Sequence, residues 1–207
     1  LLYMRTFTQL IAVLAVSFLS INTLNAQCTT TVDEFQQIED FESRLLLLQN
    51  STNDDFNWSL SNTTTGTPTN NSGPTAAFQG DYFLYTETSG IGTNEVAIVE
   101  TSCLDFDANT SPWMSFYLHM YEGTAFTQAQ SMGQLLVQVT TNPTATTPTW
   151  STLTGGDFNS YNSNSWALFT IDLSSYANQT IKIRFRAQTG SSGGFQQAYA
   201  YGDRSID

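Results

Sequence analysis

Short runs of alternating apolar and polar side chains constrain the fold of this 207-residue chain more than any other feature. Residues 181 to 187 read Ile-Lys-Ile-Arg-Phe-Arg-Ala, so the apolar side chains face one way and the three basic side chains face the other. A period of two is that of a β-strand with one buried face. Residues 113 to 121 alternate in the same way, and the pattern predicts a half-buried strand at each place.

Further strands are predicted at residues 81–87, 95–100, 135–139 and 167–173, and Phe56, Trp58 and Leu60 mark a short one. Turn-rich stretches separate these runs, at residues 62–74, 142–148, 155–165 and 189–194. Many short strands with polar turns and no helical crossovers indicate two packed antiparallel sheets or a barrel. The residues alone therefore predict an all-β fold.

One segment conflicts with this prediction. Apolar residues recur every three or four positions between residues 32 and 49, at Val32, Phe35, Ile38, Phe41, Leu45 and Leu48. That spacing is typical of an amphipathic helix. Periodicity alone therefore predicts a helix over residues 32 to 49.

The composition of the chain limits the kinds of partner that it can bind. Only 12% of the residues are charged, against about 25% in ordinary soluble domains. The formal net charge is −12, from 6 Lys and Arg against 18 Asp and Glu, which excludes nucleic acid as a partner because such a surface repels phosphates. Acidity is compatible with cation binding or with solubility alone.

The N-terminus has the pattern of a secretory signal peptide. Met4 and Arg5 precede an apolar stretch that ends near Leu19, and a small residue, Ala26, precedes the expected cleavage site. We expect the chain to start at Met4, to be cleaved after Ala26 and to be secreted or held at the cell surface. An uncleaved anchor is the alternative, although the apolar run is short for a membrane span. After cleavage the protein would not be an integral membrane protein.

Two cysteines remain after cleavage, Cys28 and Cys103. In an exported chain an even number of cysteines predicts a disulfide, which would tie the N-terminal lead segment, residues 27–39, to a later strand. Two unpaired thiols are the alternative.

Five stretches, in this order, resemble the MAM domain, an extracellular module of adhesion receptors, secreted proteases and exported bacterial proteins. They are Asp40-Phe41-Glu42 ("FE"), Asp54-Asp55-Phe56-Asn57-Trp58 ("DDFDW"), residues 81–87 ("YLY-E"), residues 115–121 ("SFWYHMYG") and residues 201–207 ("GDIAIDD"). The likeness covers residues 40–207, which we take as one domain of the bacterial secreted type. The chain stops inside the closing signature, so we expect the domain to be truncated at its C-terminal end.

The resemblance implies an antiparallel β-sandwich of jelly-roll type, with Phe41 and Glu42 on a strand rather than in a helix. It also implies a non-catalytic module for adhesion or binding, whose partner is an extracellular protein or a glycan. Two alternatives stay open: a calcium-stabilised carbohydrate-binding module, and an accessory domain of a larger secreted hydrolase or protease.

Catalytic patterns are weak. The single histidine, His119, sits mid-strand without a second histidine or a nearby cysteine, which favours a packed sheet residue over a zinc ligand or a general base. Residues 190–194 satisfy Gly-x-Ser-x-Gly, but no helix follows to form a nucleophile elbow. The acid pairs Asp54/Asp55, Asp105/Asp107 and Asp203/Asp207 could serve glycoside hydrolysis only if a pair faced one cleft. We therefore predict that the protein is not an enzyme.

Calcium is the better prediction for the acids, because a hard cation takes several oxygens without strict spacing. β-Sandwiches of this type often bind one structural ion where the first and last strands meet, so Glu42, Asp81 and Asp207 are the candidate calcium ligands. Most aromatic residues in strands are core, but Tyr161 lies in an Asn- and Ser-rich loop and is a candidate ligand contact.

Overall fold

The computed structural model describes residues 28, 31–33, 35–42, 45–62, 72–106, 111–122, 132–190 and 203–207. Within these residues the regular structure consists of β-strands and one short 3-10 turn, Ser174–Tyr176. The twelve strands are β1 (Thr31–Val32), β2 (Leu48–Asn50), β3 (Ser59–Asn62), β4 (Tyr82–Thr86), β5 (Val96–Thr101), β6 (Cys103–Asp105), β7 (Trp113–Met120), β8 (Gln134–Thr140), β9 (Ser151–Asp157), β10 (Ser163–Asp172), β11 (Thr180–Gln188) and β12 (Arg204–Ile206).

The strands form two sheets. In the seven-stranded sheet, β11 is central: it pairs antiparallel with β8 on one side and with β5 and β6 on the other. The five-stranded sheet has the order β10-β7-β12-β4-β3, with every pairing antiparallel. The fold is an all-β sandwich of jelly-roll type, as predicted.

The core lies between the sheets. Apolar side chains from alternate positions of β7 and β11 meet there, and the rings of Phe116 and Phe185 contact edge to face at 5.0 Å between centroids. Leu118 and Ile183 are equally buried beside them. The alternation predicted for both strands is confirmed, because these residues form one contiguous apolar cluster.

Residues 32 to 49 contradict both sequence predictions. The described part of this segment contains no helix, and Phe41 and Glu42 lie outside the strands. Phe41 is buried in the core but has a left-handed backbone, with φ of 58°, which interrupts either regular structure. The carboxylate of Glu39 accepts hydrogen bonds from the backbone N–H groups of Leu46 and Leu47, both at 2.7 Å. The apolar spacing therefore reflects an irregular chain that packs several side chains onto the sandwich.

Strand β9 was also missed from the sequence. It ends with Gly155, Gly156 and Asp157, which read as the start of a turn. Gly155 has φ of 79°, and the register between β8 and β9 shifts between Leu136 and Gln138. The glycines thus belong to an irregular strand pairing, where a positive φ is readily adopted only by glycine.

The predicted disulfide joins Cys28 to Cys103, with their Cα atoms 5.4 Å apart. Cys103 is buried at the start of β6, which pairs in parallel with β1 at Thr31 and Val32. The bond closes a separation of 75 residues, a constraint on the unfolded chain worth about 4 kcal/mol in the chain-entropy model. The lead segment is thereby fixed to the edge of the seven-stranded sheet.

Candidate binding surface

The outer face of the five-stranded sheet carries two large exposed apolar side chains, one on β7 and one on β10. Trp113 on β7 is 64% exposed, and Leu168 on β10 is 55% exposed. Leu168 lies directly opposite Tyr117, which points outward on β7 as predicted. The sequence signal for Leu168 was present but not used: it alternates with the inward residues Phe169 and Ile171.

The segment that precedes β4 lies across part of this face. The ring of Phe78 stacks on that of Tyr117, with 3.5 Å between centroids and an interplanar angle of 16°. Trp166 donates a hydrogen bond from its indole N–H to the carbonyl of Ala76 at 3.0 Å. Phe78 remains 46% exposed. The face therefore combines the Phe78–Tyr117 stack with two further exposed apolar side chains, Leu168 opposite Tyr117 and Trp113 at the start of β7.

Two carboxylates hold this segment in place. Asp207 accepts hydrogen bonds from the backbone N–H groups of Phe78 and Gln79, at 2.8 and 3.1 Å. Glu42 accepts from the N–H groups of Asp81 and Tyr82, at 2.9 and 3.3 Å. Burial raises the pKa of Asp207, and the negative charge of Glu42 adds to that rise. The two carboxylates are therefore close enough to interact.

The candidate calcium ligands are only partly brought together. Glu42 and Asp207 bind neighbouring parts of one segment, whereas the contact of Asp81 with Glu42 is made by its backbone N–H. Among the residues that the structure describes, no group of three or more His, Cys, Asp or Glu side chains is arranged to hold a metal. Carboxylate oxygens, such as those of Glu42 and Asp207, are nevertheless the ligands that a hard cation prefers.

His119 is a packed sheet residue. It is buried, its ring contacts that of Trp166 edge to face at 5.6 Å, and its Nε2 lies 3.2 Å from the side-chain oxygen of Asn164. Its Nδ1 and the hydroxyl of Ser205, on the adjacent strand, are buried without a hydrogen-bond partner in the described residues. Burial lowers the pKa of His119, and the contact with Asn164 opposes that shift.

The Asp54/Asp55 pair binds the backbone. Asp54 accepts a hydrogen bond from the N–H of Ile98 at 2.6 Å, and Asp55 accepts one from Val96 at 2.8 Å, so the two carboxylates cap β5 beyond the end of β2. The carboxylate of Asp55 raises the pKa of Glu95, because it accepts a hydrogen bond from protonated Glu95 and its negative charge repels the ionised form. The Asp54/Asp55 pair is thus engaged in closing a sheet edge.

The third acid pair is divided between two places. Asp203 is buried and accepts hydrogen bonds from Thr88 and Ser72, at 2.9 and 2.8 Å between side chains, whereas Asp207 binds the segment before β4. Asp107 lies outside the described residues, as do residues 191–194 of the Gly-x-Ser-x-Gly match. Tyr161 is half-buried, because its ring packs on Phe169 at 5.2 Å and its hydroxyl is buried, and its role as a ligand contact stays a prediction.

A fully buried guanidinium lies at the start of the closing strand. Arg204 donates to the carbonyls of Met132 and Gln188 and is completely shielded from solvent. Burial lowers its pKa to about 9, although the charge of Asp203 opposes that effect. This residue stands where the MAM signature has an isoleucine, and its role here is to tie β12 to the ends of β8 and β11.

The described residues form a jelly-roll sandwich that displays side chains on two outer faces. The family model for the MAM domain, meprin/A5/mu, matches residues 40–200. The chain therefore belongs to the MAM family of extracellular modules, and this membership supports a binding module. No curated protein matches the chain in sequence.

Solved structures resemble the chain at low identity. The K1 cleaved adhesin domain of Lys-gingipain from Porphyromonas gingivalis W83 has 15% identity and a TM-score of 0.40, over 77% of this chain and 85% of that one. The CBM22-1 xylan-binding domain of Paenibacillus barcinonensis Xyn10C has 12% identity and a TM-score of 0.41, over 81% and 86%. These likenesses say nothing about what this chain binds.

Within the described residues, no helix has the length and apolarity needed to cross a membrane. The predicted signal peptide, residues 1–26, lies outside the described residues and stays a prediction.

The buried His119 predicts a pH-dependent stability. Because its pKa is lowered in the folded state, the unfolded chain binds a proton more readily, with a pKa near 6.5. Stability should be fully present above pH 6.5 and should fall as the pH drops below it. We expect His119→Gln to reduce this loss, measured as the difference in unfolding midpoint between pH 7.5 and pH 5.0. Parallel pH profiles of the two proteins would contradict this prediction.

Proposed function

We propose that the protein is an exported, non-catalytic adhesion module that contacts an extracellular partner through the outer face of the five-stranded sheet. One observation carries the proposal. Of the five large apolar side chains that are exposed in the described residues, three lie on or against this face, namely Phe78, Trp113 and Leu168. Contiguous exposed apolar surface on a soluble protein is typical of an interaction site.

The chemistry of this face suits contact with a protein. Aromatic residues are enriched at the centres of interfaces, where they bury a large area with few rotatable bonds. Trp113 and the Phe78–Tyr117 stack are such residues, and Ser115 and Thr170 lie opposite each other between them. A partner could therefore bury an apolar centre that is interrupted by hydroxyl groups.

The contacts of the polar side chains support the non-catalytic part of this proposal. His119 is packed under Trp166, and the carboxylates of Asp54 and Asp55 are engaged by backbone N–H groups of β5. A catalytic acid or base has to be within reach of a substrate proton. These groups are instead engaged in packing and in closing the sheet.

A neutral glycan is the second candidate partner. The nearly parallel stack of Phe78 on Tyr117 and the exposed indole of Trp113 are aromatic surfaces on one sheet face. Tyr117 and Trp113 are four residues apart on β7, which is about 13 Å along a strand. Successive rings of a sugar chain could rest on such a row.

Binding should depend on this face. We expect Trp113→Ala and Leu168→Ala each to weaken binding at least about fivefold, because removal of an interface anchor typically costs more than about 1 kcal/mol. The measurement is biolayer interferometry of the purified chain against a panel of extracellular-matrix proteins and a glycan array, and the signal on one panel or the other distinguishes the two candidates.

The control for this experiment is Leu46→Ala. Leu46 is also about half exposed, but it lies in the segment before β2, a strand of the seven-stranded sheet. Unchanged binding in Trp113→Ala and Leu168→Ala, or an equal loss in Leu46→Ala, would contradict the proposed surface.

We also propose that calcium binds at Glu42 and Asp207. Support comes from the two carboxylates meeting at the segment before β4, and from the negative charge of Glu42 raising the pKa of Asp207. A bound divalent cation would remove this repulsion. At Gly80, where φ is 70°, an added Cβ would collide with the Glu42 carboxylate, so the segment is built around that side chain.

Calcium should therefore stabilise the fold. We expect the unfolding midpoint to fall by several degrees when EDTA is added and to recover with excess calcium but not with excess magnesium, since calcium tolerates irregular oxygen geometry. Glu42→Gln should abolish the response, and a variant that still responds fully would contradict the site.

A further inference from the structure

The outer face of the seven-stranded sheet carries a row of cations on a strongly acidic protein. The chain has six basic residues, and the structure describes four of them. Arg204 is fully buried, whereas Lys182, Arg184 and Arg186 lie side by side on the outer face of β11. This strand is central, with β8 on one side and β5 on the other. Positive charge is thus concentrated at the middle of one sheet face.

The members of this row differ in what they already bind. Lys182 is buried and forms a salt bridge with Glu100 at 3.1 Å, and Glu100 also lies directly opposite Arg184 in the register of β5 and β11. Arg186 reaches the side-chain oxygen of Gln188 only at 3.4 Å. Burial lowers the pKa of Arg184 to about 10, the negative charge of Glu100 opposes that shift, and the charge of Arg186 adds to it. The arginines therefore hold positive charge that the described acids neutralise only in part.

Arg184 is held in one orientation. Its guanidinium lies over the ring of Trp150, 4.3 Å from the centroid, and its Nε donates to the side-chain oxygen of Gln138 at 2.8 Å. Gln138 in turn reaches the hydroxyl of Thr152 at 3.5 Å. The two Nη groups make no hydrogen bond to another described residue. A guanidinium fixed by its Nε and its face presents its remaining N–H groups as a fork that fits a carboxylate.

We infer that Arg184 and Arg186 form a binding site for a sparsely charged acidic glycan, whose isolated carboxylate is taken by the arginine fork. The site lies on the sheet opposite to Trp113 and Leu168 and does not depend on that surface. Side-chain amides and hydroxyls flank it, at Gln138, Thr152 and Gln188. Such groups suit the hydroxyls of neighbouring sugars.

The position of the row favours a glycan over an acidic peptide. Extended peptides usually bind at a sheet edge, where they pair with free backbone groups. β11 is paired on both sides and offers only side chains. The net charge of −12 also opposes densely charged polymers. A mostly neutral polysaccharide with occasional carboxylates satisfies both conditions.

The test compares forms of one polymer that differ only in charge. By isothermal titration we expect the full chain to bind partially methyl-esterified polygalacturonate, with a minority of free carboxylates, at least about tenfold more tightly than the fully esterified polymer. The double variant Arg184→Gln/Arg186→Gln should lose this difference. Arg184→Lys, which keeps the charge but loses the planar fork, should lose most of it.

The control is Ser59→Glu/Ser175→Glu, which makes the same change in net charge at two exposed positions outside the seven-stranded sheet. It should keep the preference for the partially esterified polymer. Equal affinity of the wild-type chain for both polymers would overturn the site, as would a preference that survives in the double variant. Binding of poly-L-glutamate as tight as that of the glycan would overturn the choice of a glycan. If the double variant is not folded, the comparison rests on Arg184→Lys.

Discussion

The burial of one side of every long strand between the two sheets is the constraint on which the rest of the structure depends. Phe116 from one sheet and Phe185 from the other meet at the centre of the core. Because side chains alternate along a strand, this burial decides which residues point outward. The outward residues of β7 and β11 are therefore displayed at fixed positions on a rigid support.

The two outer faces that result differ in chemistry. The five-stranded sheet displays Trp113, Leu168 and the Phe78–Tyr117 stack, which suit contact by apolar burial. The seven-stranded sheet displays Arg184 and its neighbours, which suit recognition of an anion through hydrogen bonds. A module with two such faces could hold two partners at once without rearranging its core.

The sequence predicted the parts of this fold that follow from alternation. The strands at β7 and β11 and their buried faces were predicted correctly, and the count of two cysteines predicted the disulfide. Alternation did not predict the structure where contacts between residues distant in sequence determine the backbone conformation. Phe41 is held in a left-handed conformation beside the Glu39 hydrogen bonds, and no local pattern indicates this.

The candidate surface was less predictable than the fold. Exposure depends on what covers a strand, which the sequence of that strand does not contain: His119 points outward yet is buried under Trp166, and Tyr161 lies in a polar loop yet packs on Phe169. Glu42 and Asp207 both bind the segment before β4, and their role as calcium ligands stays a prediction. The role of Arg184 depends on Trp150, thirty-four positions earlier in the chain.

The most direct measurement makes the same substitution, leucine to alanine, once on each side of the five-stranded sheet. Leu118 is fully buried on the inner side of β7, and Leu168 is exposed on the outer side of the adjacent β10. In denaturant unfolding, Leu118→Ala should lower the free energy of unfolding by about 3 kcal/mol, as for other buried leucines, and Leu168→Ala by less than about 0.5 kcal/mol. Similar losses in the two variants would show that both sides are core, which would contradict the account of an outer face available for binding.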